Sequence, residues 1–299
     1  MRLRLALIAG ATMLYVALNP VPASASKGAY WGTYVSPPSG QSPLDALTSF
    51  EDTVGRRFHI YRFYRPIDNC DLGNDIADMM RRRGEPVYLN VSSQFHGRCV
   101  PWRSVAAGRY NRYLHIIARH VRRYGYRVYF SWNHEMENNC HTGTAAEYRA
   151  SYARVRRVFR SEHVRNARWV VVFAASNFKK KPASVRRYLP RHYDMIGVDG
   201  YNRARKWRSP TEIFGAAHHF AAKRGVRLFI GEIGSEESPS DPTGKAAWIT
   251  SAADTFRRWN VGVVLWTNSP SDTGDYRADS SQDALQAYQR AGDMSFFDR

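Results

Sequence analysis

Eight short runs rich in β-branched and aromatic residues recur along the chain, each separated from the next by enough sequence for a helix and two loops. They are Ala29–Val35, Phe58–Phe63, Pro86–Val91, Arg127–Trp132, Arg168–Ala175, Tyr193–Asp199, Val226–Glu232 and Val261–Thr267. Trp169–Phe173 and Val261–Leu265 are nearly unbroken apolar stretches, as strands covered on both faces require. Between the runs, Tyr113, Ile116, Ile117, His120 and Val121 fall at helical spacing, as do Tyr148, Tyr152, Val155, Val158 and Phe159. Ala246–Trp259 and Ala284–Tyr288 carry the same pattern later. A repeated strand–helix unit implies parallel strands joined by crossovers. Eight such units without a break in composition predict one α/β domain, a (β/α)8 TIM barrel. A nucleotide-binding open sheet is disfavoured, because neither G-x-G-x-x-G nor G-x-x-x-x-G-K-[ST] occurs.

The first 25 of the 299 residues read as a signal peptide. Arg2 and Arg4 precede the apolar stretch Leu5–Leu18, and Ala23-Ser24-Ala25 offers a cleavage site. That stretch is shorter than the roughly 20 residues a spanning helix needs, so a secreted catalytic domain covering residues 26–299 with no membrane span is expected. Export suits a disulfide. Cys70, Cys99 and Cys140 allow one pair and leave one thiol, and their spacing does not select the pair.

In a barrel of this kind reactive side chains project from the C-terminal ends of the strands. Glu135 ends the fourth run within Ser131-Trp132-Asn133-His134-Glu135-Met136, and Glu232 ends the seventh within Ile230-Gly231-Glu232-Ile233-Gly234. Asp199 and Tyr201 follow the sixth run, and Trp266 lies in the eighth. Two carboxylates at one barrel mouth are the equipment of glycoside hydrolysis: one protonates the leaving oxygen, and the other attacks or activates water. A zinc-protease motif needs His-Glu-x-x-His, and Asn138 stands where the second histidine would be. No metal and no organic cofactor is expected.

These residues together resemble glycoside hydrolase family 26, a set of (β/α)8 enzymes dominated by β-1,4-mannanases. The resemblance is carried by Trp31-Gly32-Thr33-Tyr34, His134-Glu135-Met136, Thr144-Ala145-Ala146-Glu147-Tyr148, Ile196-Gly197-Val198-Asp199-Gly200-Tyr201-Asn202 and Gly231-Glu232-Ile233-Gly234, and runs from about Gly28 to near the C-terminus. It implies a retaining endo-β-glycosidase with Glu135 as acid/base and Glu232 as nucleophile. It further implies substrate-binding places for His134, Asp199, Tyr201 and Trp266, with Tyr201 orienting the nucleophile and Trp266 as a sugar-stacking platform. β-1,4-Mannan is the first expectation for substrate, with β-1,3/1,4-glucan or xylan as alternatives. The chain departs from many family mannanases after the acid/base, where Glu137–Gly143 contains no tryptophan.

The formal charge of +18 points to an anionic partner without choosing one. Arg119, Arg122 and Arg123, and Arg154, Arg156, Arg157 and Arg160, fit solvated helix faces. Lys179-Lys180-Lys181 and Arg203, Arg205, Lys206 and Arg208 follow runs five and six, on the expected catalytic side. An anionic glycan or cell surface is the partner these loops suggest. Nucleic acid is not expected, since no recognised binding module appears. A non-catalytic carbohydrate-binding barrel is the remaining alternative.

Overall fold

The computed structural model describes residues 28–271 and 273–298, so the expected signal segment lies outside the described residues. Each of the eight runs carries a strand of one closed barrel. The strands are β1 (Tyr30–Val35), β2 (Tyr61–Pro66), β3 (Val87–Ser92), β4 (Val128–Trp132), β5 (Ala167–Ala174), β6 (Met195–Asn202), β7 (Leu228–Ser235) and β8 (Val263–Asn268). Every neighbouring pair is parallel, and β1 closes the cylinder on β8 with Tyr30 opposite Val263 and Val35 opposite Asn268. The architecture is a (β/α)8 barrel. No described helix is long and apolar enough to cross a membrane.

Helices follow the strands in turn, and their starts are written in the local sequence. Thr144 and Glu147 form a reciprocal capping box at the head of Ala145–Ser161, and Ser209 with Glu212 does the same for Pro210–Ala222. The expected helical patterns fall on Asn111–Tyr124, Ala145–Ser161, Gly244–Arg258 and Gln282–Gly292, with Trp259 as the C-cap of the third.

Strands β2, β6 and β7 run three residues further than the apolar runs that announced them. The added residues, Tyr64-Arg65-Pro66, Gly200-Tyr201-Asn202 and Ile233-Gly234-Ser235, are a less apolar continuation, yet they remain in register with their neighbours: Tyr64 pairs with Asn90, and Tyr201 with Gly234. The chain therefore presents much of its mouth chemistry from rigid sheet rather than from loops.

Side chains alternate across the barrel wall. Ile60, Tyr88, Tyr129, Val172, Phe229 and Leu265 belong to a core inside the cylinder, separate from the larger core between strands and helices. Above that plug, the same inward parity carries Arg62 and Tyr64 on β2, Asn90 on β3, Ser131 on β4, Asp199 and Tyr201 on β6, and Thr267 on β8.

Cys99 and Cys140 form the disulfide, joining the loops after β3 and β4, and Cys70 is a buried free thiol.

Candidate active site

Glu232 reaches the barrel interior because β7 holds one residue more than its neighbours. Val198 is opposite Ile230 and Asp199 opposite Glu232, so Gly231 is left without a partner; on the other side Val264 faces Ile230 and Trp266 faces Ile233. Such a bulge re-aims the following side chain. Glycine suits the position: a Cβ on Gly231 would lie 2.5 Å from Asp199 Oδ1, and the carboxylate would have to shift. The carbonyl of Gly231 is taken by Arg62, whose Nη1 donates to it at 2.6 Å.

Arg62 is buried and sits against Glu232, Nη1 to Oε1 3.5 Å, while its Nη2 donates to Thr267 Oγ1 at 3.2 Å. Tyr64 donates its phenol proton to Glu232 Oε1, and Tyr201 donates to Oε2 at 2.5 Å. Burial by itself pushes this carboxyl up. The Arg62 guanidinium and the two phenol donors outweigh it, and Glu232 ends below the ordinary glutamate value, ionised at neutral pH. Tyr201 is itself held by the Tyr276 ring at 4.4 Å between centroids.

Glu135 stands in a different environment. The chain leaves β4 through Asn133 and Glu135, both with positive φ (47° and 46°), a conformation that costs non-glycine residues about 1 kcal/mol each. Backbone bonds hold it there: Asn133 N–H to Val91 O at 2.8 Å and Glu135 N–H to Val172 O at 2.9 Å. Burial, and secondarily the Glu232 anion, push the Glu135 carboxyl up to about 7. The two glutamates are thus driven in opposite directions, the condition for one acid and one base or nucleophile at a common pH.

His134 precedes Glu135 in the chain and stands beside Glu232. Asn90 Oδ1 accepts from the Ser131 hydroxyl at 2.6 Å and from the His134 backbone N–H at 3.0 Å. Its amide nitrogen is left to donate to His134 Nδ1 at 2.7 Å. Nδ1 therefore accepts and Nε2 carries the ring proton, 3.2 Å from the Asn139 side-chain amide and 3.8 Å from Glu232 Oε1. Burial keeps the ring neutral. Asp199 is buried, and its Oδ1 has no hydrogen-bond partner. Burial, then the Glu232 anion, raise its carboxyl well above the usual aspartate value.

The structure thus brings Glu135, Glu232, His134, Asp199 and Tyr201 to one mouth. Trp266 is a correction to the expectation. It is 0% exposed, donates from Nε1 to the Tyr276 carbonyl at 2.9 Å, and packs edge-on against Tyr288 and Trp248 on the helix side. It therefore offers no face to a sugar. The inward position next to it is Thr267. Trp266→Ala is expected to cost about 3–5 kcal/mol of stability, as for other buried tryptophans, with KM nearly unchanged; a stacking platform would show the reverse in denaturation and kinetic measurements.

Arg62, Tyr64, Asn90 and Thr267 were not singled out from the sequence. The parity of β2 would have found the first two, since Ile60, Arg62 and Tyr64 alternate with Tyr61 and Phe63.

His134, Asp199 and Glu232 offer ligand atoms all within 4.8 Å of one another, a set that could hold a cation. The Glu232 carboxylate is already engaged, however: both of its oxygens accept phenol protons, and the Arg62 cation adjoins one of them. A proton inventory suits the trio better than a metal.

No protein-family model and no curated protein sequence matches the chain. Solved structures do. A family-26 endo-β-1,4-mannanase catalytic domain of Bacillus sp. JAMB-750 superimposes with a TM-score of 0.65 at 14% identity, over 91% of this chain and 87% of that one. The fold is shared. The family-26 β-mannanase of a symbiotic protist of the termite Reticulitermes speratus, solved with a gluco-manno-oligosaccharide, gives 0.62 at 14% identity over 91% and 88%. A family-5 xyloglucan-specific endo-β-1,4-glucanase from a metagenomic library gives 0.57 at 14% identity over 89% and 97%.

Proposed function

We propose that this chain is a secreted retaining endo-β-glycosidase acting on a β-1,4-linked polysaccharide with a mannan-type backbone. The observation that carries the reading is the opposite treatment of the two mouth carboxyls. Glu232 is clamped as an anion by Arg62, Tyr64 and Tyr201, and Glu135 is held as an acid near neutrality.

In the first step Glu232 attacks the anomeric carbon while Glu135 gives its proton to the departing glycosidic oxygen, leaving a covalent glycosyl ester. Once Glu232 is esterified its charge is gone, one of the influences raising Glu135 disappears, and Glu135 becomes a better base. It then takes a proton from water, whose oxygen displaces Glu232 and restores the starting configuration. Neutral His134, its Nε2 between the Asn139 amide and Glu232, is suited to hydrogen-bond a sugar hydroxyl beside that carboxylate.

Reducing-sugar release from mannan, glucomannan, lichenan, β-1,3-glucan and xylan tests the reading, with NMR of the first-formed anomer reporting retention. The pH profile of kcat/KM should be bell-shaped. Glu135 must be protonated to act, so activity falls as pH rises through about 7; Glu232 must be ionised, so the acid limb lies below the ordinary carboxylate range. Inert polymers, or inversion at the anomeric carbon, would refute the proposal.

A further inference from the structure

Between β4 and the helix that begins at Ala145, residues 133–143 include three asparagines and a glycine. Such residues favour turns and tolerate positive φ, so local preference alone does not decide where Glu135 points. Within the turn, the Glu135 carbonyl accepts from the Asn138 and Asn139 backbone N–H groups, both at 2.7 Å, and Asn138 Nδ2 reaches back to Glu135 Oε2 at 3.3 Å. These bonds shape the turn. They do not anchor it to the barrel.

The anchors come from both sides. Toward the loop after β3, Cys140 is joined to Cys99, and the Thr142 hydroxyl donates to the Val100 carbonyl at 2.8 Å. Toward β5, the Glu135 N–H donates to Val172 O, and Glu137 supplies a second tie. Its Oε1 accepts from the Ala174 N–H at 3.2 Å and from the side-chain amide of buried Asn177 at 2.6 Å. Two points two residues apart in the turn, Glu135 and Glu137, are thus fastened to two points two residues apart on β5, Val172 and Ala174. Glu137 is half-buried with its Oε2 unpartnered, and among the described residues it makes no ion pair. A carboxyl placed in this way costs the fold stability. What it contributes is a fixed place for the turn, and it also raises the Glu135 carboxyl, behind burial and Glu232.

We propose that Glu137 is a positioning residue for the acid/base: through Ala174 and Asn177 it fixes the turn that aims Glu135 at the departing glycosidic oxygen. This deepens the glycosidase reading and rests on it. Without the tie, Glu135 keeps its backbone bond to Val172, but the turn beyond it is free to shift between β5 and the disulfide.

The test separates proton delivery from the rest of catalysis. A dinitrophenolate departs without help from an acid, and a sugar alkoxide does not. The first step, read as kcat/KM, is therefore compared on the polysaccharide the chain cleaves and on the 2,4-dinitrophenyl β-glycoside of its disaccharide. Glu137→Ala should lower kcat/KM about 100-fold on the polymer, the scale of a displaced catalytic group, and less than about 3-fold on the aryl glycoside. Glu137→Gln, whose amide oxygen can accept the same two bonds, should recover most of the polymer rate. Asn177→Ala should show the same split, and joined to Glu137→Ala it should add little, since both act at one tie. It is read in the same way should Glu137→Ala fail to fold. Equal loss on both substrates, or no loss on either, overturns the role and leaves the glycosidase reading in place. A wild-type chain inert on the polymers and on the aryl glycosides would remove that reading, and this role with it.

Discussion

Replacing Glu232 with Gln should lower kcat by roughly 10⁴- to 10⁶-fold, the scale seen when a nucleophile is removed from an enzyme of this mechanistic type. The substitution is nearly isosteric, and the phenols of Tyr64 and Tyr201 can still donate to its amide oxygen, so the barrel should keep its thermal midpoint. Shortening the same residue to Ala opens a gap that a small anion can fill. With an activated aryl glycoside and azide, Glu232→Ala should recover turnover and release a glycosyl azide of the configuration opposite to the substrate. A product of retained configuration would assign that role to another residue. Activity undiminished in Glu232→Gln would end the two-carboxylate account.

Arg62→Met should damage both stability and chemistry. The substitution preserves much of the side chain's length but strips Glu232 of its cation, and the Gly231 carbonyl and Thr267 hydroxyl of their donors. Breaking a buried charge pair by removing one partner typically costs about 3–5 kcal/mol, which denaturant titration would register as a lower midpoint. The kinetic signature is more specific. With burial no longer opposed by the guanidinium, the Glu232 carboxyl should rise, and the acid limb of the pH profile should move upward. A variant that is merely destabilised would keep the wild-type limb over the pH range where it is folded, and that result would confine Arg62 to a structural part.

The barrel was legible because parallel strands buried on both faces leave near-continuous apolar runs, and Trp169–Phe173 and Val261–Leu265 have no other economical reading. Strand ends were less legible. Tyr64, Tyr201 and Ser235 look like loop residues, and their pairing depends on neighbours distant in sequence. The disulfide lay beyond sequence reasoning for the same cause: Cys99 and Cys140 are 41 residues apart and meet only because β3 and β4 are adjacent.

Of the mouth residues, Glu135, Glu232, His134, Asp199 and Tyr201 announced themselves as polar groups following apolar strands. What supports Glu232 did not. The Gly231 bulge that turns it inward is a difference in residue count between strands, invisible in any one of them. Arg62 was hidden by a general expectation, since arginines are rarely fully buried unless paired and this chain is rich in exposed ones. Trp266 was misread through its type. An indole beside a sugar site suggests stacking, but alternation from Val263 and Leu265 places Thr267 inside and Trp266 outside.

The outward burial of Trp266 has a spectroscopic corollary. Of the eight tryptophans, Trp31, Trp102, Trp132, Trp169, Trp248 and Trp266 are buried in the shell between strands and helices. Trp259 is stacked on His218, and Trp207, at 37% exposure in the segment after β6, is the one turned to solvent. The aromatic groups that hold Glu232 are tyrosines. Emission from the buried indoles is therefore a gauge of whether the barrel is assembled, while Trp207, following β6 on the side of the mouth, is the one placed to respond to a polysaccharide there.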